Sequence, residues 1–471
     1  MMKRNCKQWY TLKNTAFIST LLIVTGVFTA CGKSDKEDIA KDLGVNATSD
    51  AATKSDAVQE QIPENLSYTV KSVENGAVKV EAEVYSEGYG QVPTYKLKKK
   101  EKNDEWVKSY AEKLFDNGEY INVKPYDFCS KEELETEKQF WEERLDALDE
   151  SSIGYGCVET QIYDIEYDME HFSESNYVKY PEGQLVFTES NSGNEDNVTS
   201  YSERAQLRGE VNGDVWLLNY DYRVYDKGGN MAPVLYGSCV EKLDYISASY
   251  GMDVGIYKNK CDRGEAESEA ARLLDRLGFN NMECVKMTEL QPAILSRGDY
   301  LFGPADYFDG YCIIYGPSLN NVKMFSCLGE GISADGENFA VQPCVSILVN
   351  SEGAYSFCII EDYDVEGMLS ENSRMLSFQQ IDDIAHGEFE KMMNEHPNTS
   401  YNITKIKFEY LCVTYDGLSY AMIPVWTYYM EWINNGSTIL DPVLIVNALD
   451  GAVISSEDVS CNWGYYFTIT W

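Results

Sequence analysis

The chain has 471 residues, 39 of them basic against 77 acidic, for a formal net charge of −38 at pH 7. A surface this acidic argues against nucleic acid or anionic lipid as a partner and suits cationic partners or loosely held divalent ions, unless it is simply a solvated face. With 44% hydrophobic and 13% aromatic residues the chain can build a true core, and its length suggests two or three domains.

Residues 1–30 read as an export leader. Lys3, Arg4, Lys7 and Lys13 give a basic start, and "AFISTLLIVTGVFTA" (Ala16 to Ala30) is an apolar run too short for a comfortable membrane span. It runs directly into Cys31 and Gly32. An uncleaved anchor helix is the alternative, and either reading places the rest of the chain outside the cytoplasmic membrane. Residues 31–65 carry many charges and no aromatics, so they cannot bury enough surface to fold. A flexible tether with a mean span of roughly 30 Å is expected there.

A first folded domain is expected over 66–250. Val78, Val80, Ala82 and Val84 alternate with Lys79, Glu81 and Glu83, the pattern of a half-buried strand, and Glu74 to Gly76 before it signals a hairpin turn. Asp104 is placed to cap a helix carrying Trp106, Val107, Tyr110, Leu114 and Phe115, with Gly118 as its stop. Ser130 and Glu133 form a capping-box pattern ahead of the stripe Leu134, Trp141, Leu145 and Leu148. "QIYDIEYDMEH" (161–171) alternates and predicts a strand with Asp164, Glu166, Asp168 and Glu170 on one face. Asn212-Gly213 predicts a hairpin between two strands.

The weakly apolar stretch Tyr250 to Arg263 is the expected boundary to a second domain, 251–471. Its helix Gly264 to Phe279 carries Ala266, Ala270, Leu273, Leu274 and Leu277, and strands follow at "MECVKMTEL", "GYCIIYG" and the hairpin "VSILVNSEGAYSFCII". A further helix shows Phe378, Ile381, Ile384, Phe389 and Met393 on one side. A long hairpin turned at Asp416-Gly417 comes next, and a last one closes at "NALDG" (Asn447 to Gly451), where Asp450-Gly451 suits a two-residue turn. Helices separated by antiparallel hairpins, without strand–helix–strand alternation, make the class α+β: antiparallel sheets with helices packed on one face.

Three stretches, "LSYTV…VEAEVY…QVPTYKL" (66–97), "LSFQQIDDI" (376–384) and "IPVWTYYMEW…LIVNALDGAVI" (423–454), resemble in this order a family of uncharacterised lipoproteins from clostridial-type Gram-positive bacteria. "FTAC" resembles the lipobox of bacterial lipoproteins, with Phe28 where Leu, Val or Ile is usual. That resemblance implies that Cys31 carries the lipid and anchors the chain in the membrane. The C-terminal stretch is also similar to PepSY-like modules and to the YycH/YycI extracytoplasmic regulators. It implies two α+β units of that kind after a disordered tether, and an envelope partner such as a sensor kinase or a protease. It supplies no catalytic residue and no cofactor.

Motifs for chemistry are sparse. The histidines are His171, His386 and His396; the last two lie ten residues apart on one predicted helix, about 15 Å along its axis, too far to share a metal. There is no H-E-x-x-H, no phosphate-binding G-x-x-x-x-G-K-[ST] and no G-x-S-x-G. "DYDVEG" (Asp362 to Gly367) begins like a calcium loop, but Ser373 occupies the twelfth position where a bidentate Glu is needed. Eleven cysteines beyond Cys31 form no C-x-x-C pair, so a zinc ribbon is disfavoured, and buried thiols and disulfides both stay open. The 35 tyrosines and 8 tryptophans, among them Tyr163, Tyr167, Trp216, Tyr428 and Trp432, serve either sheet packing or a sugar-stacking platform.

The expectation is a lipid-anchored, non-enzymatic interaction or regulatory ectodomain with no cofactor and no metal; a carbohydrate- or solute-binding lipoprotein is the alternative. Replacing Cys31→Ser should abolish incorporation of labelled fatty acid and release the protein from the membrane fraction. Retention of the variant in that fraction would favour the anchor helix instead.

Overall fold

A computed structural model of the chain describes residues 62–454 except 91, 124–128, 150–153, 173–198, 226–233, 243–258, 260, 290–309, 326–343, 362, 372, 415–419 and 435–436. The leader, Cys31, the tether to residue 61, the Asp416-Gly417 turn and most of the 250–263 boundary lie outside the described residues.

The described elements begin with β1 (Asn65–Lys71), β2 (Ala77–Tyr85), β3 (Thr94–Lys99), α1 (Asp104–Leu114), β4 (Tyr120–Val123), α2 (Lys131–Ala147) and α3 (Tyr155–Glu170). There follow β5 (Thr199–Val211), β6 (Asp214–Tyr225), β7 (Val234–Cys239), α4 (Arg263–Arg276), β8 (Met282–Glu289), β9 (Tyr311–Leu319), β10 (Val322–Lys323), β11 (Cys344–Asn350) and β12 (Gly353–Glu361). The last are β13 (Tyr363–Ser370), α5 (Phe378–Glu395), β14 (Ser400–Thr414), β15 (Tyr420–Asn434), β16 (Ser437–Asn447) and β17 (Val453–Ile454).

The fold is α+β, built on two mostly antiparallel sheets. The eight-stranded sheet has the order β1-β2-β14-β15-β16-β17, with β3 pairing both β15 and β13. The nine-stranded sheet runs β10-β9-β11-β12-β7-β6-β5-β4, with β8 on β9. A parallel pairing joins β2 to β14. Neither sheet follows the expected division at residue 250. The first takes β1–β3 from before it and β13–β17 from after it, and the second takes β4–β7 from before and β8–β12 from after. The division failed because strand partners are chosen by long-range pairing, which a local change of composition does not report.

Locally the helices form where caps and stripes place them. Ser130 and Glu133 make both hydrogen bonds of a capping box at α2, with Leu134 and Trp141 buried beneath it. Ser377 and Gln380 do the same at α5. The cap of α1 is Asn103, whose Oδ1 accepts from the Trp106 amide at 3.0 Å, so Asp104 is the first helical residue and not the cap. The 161–171 stretch is the main correction: it lies in α3 and its His171 cap, and it is no strand.

Helix α5 covers one face of the eight-stranded sheet. Phe378 meets Trp426 edge-on at 4.8 Å between ring centroids, and Phe389 meets Tyr428 at 5.7 Å. On the opposite face Leu411, Ile423, Val425 and Ile445 belong to one apolar cluster with the nine-stranded sheet. That second sheet carries helices on both faces. Arg208 reaches α2 through Glu137 from one side, and Tyr220 meets Trp106 of α1 from the other.

The closing turn is a four-residue loop, not a two-residue one. The Asn447 amide donates to the Ala452 carbonyl at 2.8 Å, and the Asn447 side chain accepts from the Leu449 amide at 3.0 Å. The loop is pinned on two sides, by Ala448 N–H to Pro424 O at 3.0 Å and by Leu376 N–H to Ala448 O at 2.8 Å. Gly451 sits at φ +80 with Ile384 and Leu376 where a Cβ would stand. Gly451→Ala should therefore lower stability by about 1–3 kcal/mol through strain and overpacking. Gly367→Ala, where nothing lies within 4 Å of the added carbon, should stay within about 0.5 kcal/mol of the wild type. Urea denaturation of the two variants checks the difference.

Candidate functional site

Cys157, Val158 and Ile165 are buried on α3, and Ile162 and Met169 are partly buried against the same cluster. Positions 158, 162, 165 and 169 are spaced four, three and four apart, which is one helical face. The start of the helix is set by a close approach: at Gly154 a Cβ would collide with the backbone of Glu241, just after β7. At the other end the Nδ1 of His171 donates to the Tyr167 carbonyl at 2.7 Å and closes the last turn.

The opposite face of α3 is open. Tyr163 is 65% exposed and Tyr167 53%, one turn apart. The His171 ring stacks on Tyr167 with centroids 4.1 Å apart and 28° between planes, extending the row by one more turn. At 100° per residue, Asp164 and Asp168 fall on one flank of this aromatic row and Glu159, Glu166 and Glu170 on the other. Glu166 is neutralised by Lys138 of α2 at 2.8 Å, which also reaches Glu142 at 3.2 Å. The Asp164 side chain has no hydrogen bond or ion pair among the described residues. Partial burial alone pushes its carboxyl above the ordinary range. The residues expected as one acidic strand face thus become two acidic flanks around a tyrosine row.

No protein-family model and no curated protein matches this chain. Among solved structures it is similar to an uncharacterized protein from Eubacterium rectale, at 14% identity and a TM-score of 0.44 over 83% of this chain and 94% of that one. It is also similar to the Bacillus megaterium YpeB C-terminal domain, at 11% identity and a TM-score of 0.22 over 58% of this chain and 89% of that one. At these scores neither likeness bears on what the chain does.

The other residues singled out in the sequence do not converge. His386 is exposed on α5, 3.6 Å from Glu390, and His396 ends the same helix. "DYDVEG" from Tyr363 onward is part of strand β13, with Glu366 paired to Lys96 at 3.3 Å, so it forms no calcium loop. Among the described residues no three His, Cys, Asp or Glu side chains stand close enough to hold a metal ion. None of the described helices is long and apolar enough to cross a membrane. Cys239, Cys284, Cys312 and Cys358 are free thiols. Burial pushes Cys239 and Cys312 up to about 12, so they stay protonated and unreactive at neutral pH. Of the aromatic residues weighed for a sugar platform, Trp216 and Tyr428 are buried, Tyr163 and Tyr167 are exposed, and the Trp432 side chain lies outside what the structure describes.

Two open grooves are lined in part by charges paired within the protein. One of about 400 Å³ is lined by Phe140, Tyr120 and Arg208, but Arg208 is bonded to Glu137 and lies 3.8 Å over the Phe140 ring. The other, about 550 Å³, lies beside the first turns of α4, where Glu269 is paired with Arg272 at 2.9 Å.

Two buried polar networks escaped the sequence reading. Asp382 of α5 accepts from the hydroxyls of Tyr68 at 3.0 Å and Tyr428 at 3.3 Å, fastening the helix to β1 and β15. On the other sheet face Glu409 is fully buried and accepts from the Tyr429 hydroxyl at 2.5 Å, with the Lys407 ammonium 5.1 Å over the same ring. Burial raises the Glu409 carboxyl and depresses Lys407, each opposed by the other's charge. The Glu409 network is enclosed, whereas the Asp382 network is half-buried at the seam between α5 and the sheet.

Burial holds the carboxyls of Asp382 and Asp441 above their usual range, so the folded state binds these protons more tightly than the unfolded chain does. Their contribution to stability is therefore present at the ordinary carboxylate range near pH 4 and is lost as pH rises through the folded values. The melting temperature should be higher near pH 4.5 than at pH 7.5, and Asp382→Asn should shrink that difference. A steady fall of melting temperature over this window would contradict the assignment.

Proposed function

We propose that this chain is a cell-surface lipoprotein, held by Cys31 at the outer face of the cytoplasmic membrane, whose folded body acts by binding another envelope protein and not by catalysis. The observation that carries the reading is the open row Tyr163–Tyr167–His171 on α3. Large aromatic side chains are normally placed to bury their rings, as Trp141, Trp426, Tyr355 and Tyr410 do here. Two tyrosines left open side by side, each with an apolar body and a polar tip, are the composition of an interaction surface. The resemblance of the C-terminal stretch to PepSY-like and YycH/YycI regulators supports a regulatory partner, a sensor kinase or a protease. A carbohydrate platform would draw on several rings in one plane, and this row offers two tyrosines and an imidazole.

A photo-crosslinking amino acid placed at position 163 or 167 in intact cells should give a discrete protein adduct. The same probe at exposed Thr69 of β1 should not give that adduct. Recovery of glycan from positions 163 and 167, with no protein adduct, would replace this reading with the carbohydrate one.

A further inference from the structure

The α3 surface also carries a signature of what it takes. Elsewhere cations of the protein lie over rings that the fold buries or half-buries. Lys113 lies 4.8 Å over Tyr110 and Lys102 lies 5.7 Å over Trp106. Arg208 covers Phe140 and Lys407 covers Tyr429 in the same way. Tyr163 and Tyr167 have no such cover: among the described residues no lysine or arginine lies over either ring. The carboxylates beside them show the same imbalance. Glu159, Asp164, Glu166 and Glu170 lie along this helix, and Lys138 answers Glu166 from the α2 side. Asp164, between the two tyrosines in sequence, is answered by nothing among the described residues.

His171 takes one face of Tyr167, and the ring faces left open attract the same chemical group as an uncompensated carboxylate. A ring face binds a cation through its quadrupole, best for a guanidinium that can lie flat, and a carboxylate beside it completes the site with a charge-assisted hydrogen bond. The net charge of −38 steers a cationic partner toward the whole molecule, but only α3 pairs open rings with an unanswered acid in this way among the described residues.

We propose that the outer face of α3 takes an arginine- or lysine-bearing segment of a protein partner, with cationic side chains seated on Tyr163 and Tyr167 and held by Asp164. This rests on the reading of α3 as the interaction surface and names the chemistry that the surface selects.

The test uses the full chain in detergent and a labelled eight-residue peptide of alternating arginine and serine, followed by fluorescence anisotropy. Tyr163→Ala with Tyr167→Ala, which leaves the charge unchanged, should weaken binding about tenfold. Asp164→Asn should weaken it by a factor of about three. Removing two charges elsewhere, Glu74→Gln with Glu87→Gln, should leave it unchanged. If the tyrosine variant binds as well as the wild type, or if the two remote substitutions weaken binding as much, the peptide is held by net charge alone and the proposal fails. The in-cell crosslink separates the two levels of the reading. No protein adduct from positions 163 and 167 overturns the interaction surface itself. An adduct whose captured segment contains no arginine or lysine leaves the surface standing and overturns only the cationic assignment.

Discussion

The parallel pairing of β2 with β14 joins residues 77–85 to residues 400–407, and the remaining architecture is arranged around that contact. It is reinforced where it begins. Ser72 Oγ donates to Pro397 O at 2.6 Å, Gly76 N–H to the same carbonyl at 2.7 Å, and Ala77 N–H to Thr399 O at 3.1 Å. The first hairpin is thereby fixed to the segment leaving α5. Parallel neighbours need a crossover, and here the crossover contains the whole nine-stranded sheet. Closing so long a loop costs little more than closing a moderate one, because the entropy grows only with the logarithm of length.

Strand β14 also stitches the two sheets together. β2 accompanies it as far as Lys407; beyond that point Phe325 N–H donates to Tyr410 O at 2.6 Å, and Met324 bridges to Tyr410 in parallel. The vacated edge is thus filled by the end of the second sheet's β9–β10 hairpin. Both faces of the strand are then covered, one by α5 and the other by the shared apolar cluster. Glu409 and Lys407 become internal on the second face and must answer one another, since a lone buried charge costs several kcal/mol. The Asp382 fastening does the same for α5, holding a carboxylate between two tyrosine hydroxyls. Asp382, Glu409 and Lys407 each have a partner inside the molecule, whereas the Asp164 side chain on the outer face of α3 has none among the described residues.

Much of the local structure was legible. The capping box at Ser130, the buried stripe of α4 and the Asn212-Gly213 turn depend on residues a few positions apart, and they fall where the pattern places them. The 161–171 stretch misled because an eleven-residue window holds a chance alternation. The helical signal, Val158, Ile162, Ile165 and Met169, begins before that window. With the correct period, Tyr163 and Tyr167 move from a strand to the outside of a helix, and the acidic residues from one face to two flanks.

The sequence by itself determined the α+β class, most helices and hairpins, the acidity of the surface and the scarcity of catalytic motifs, because each is set by composition or by neighbours along the chain. Only the tertiary structure decided which strands pair across more than 300 residues, which acids are answered and which rings stay open. Those are outcomes of competition between distant segments for the same hydrogen bonds and the same buried faces, and no local pattern carries them.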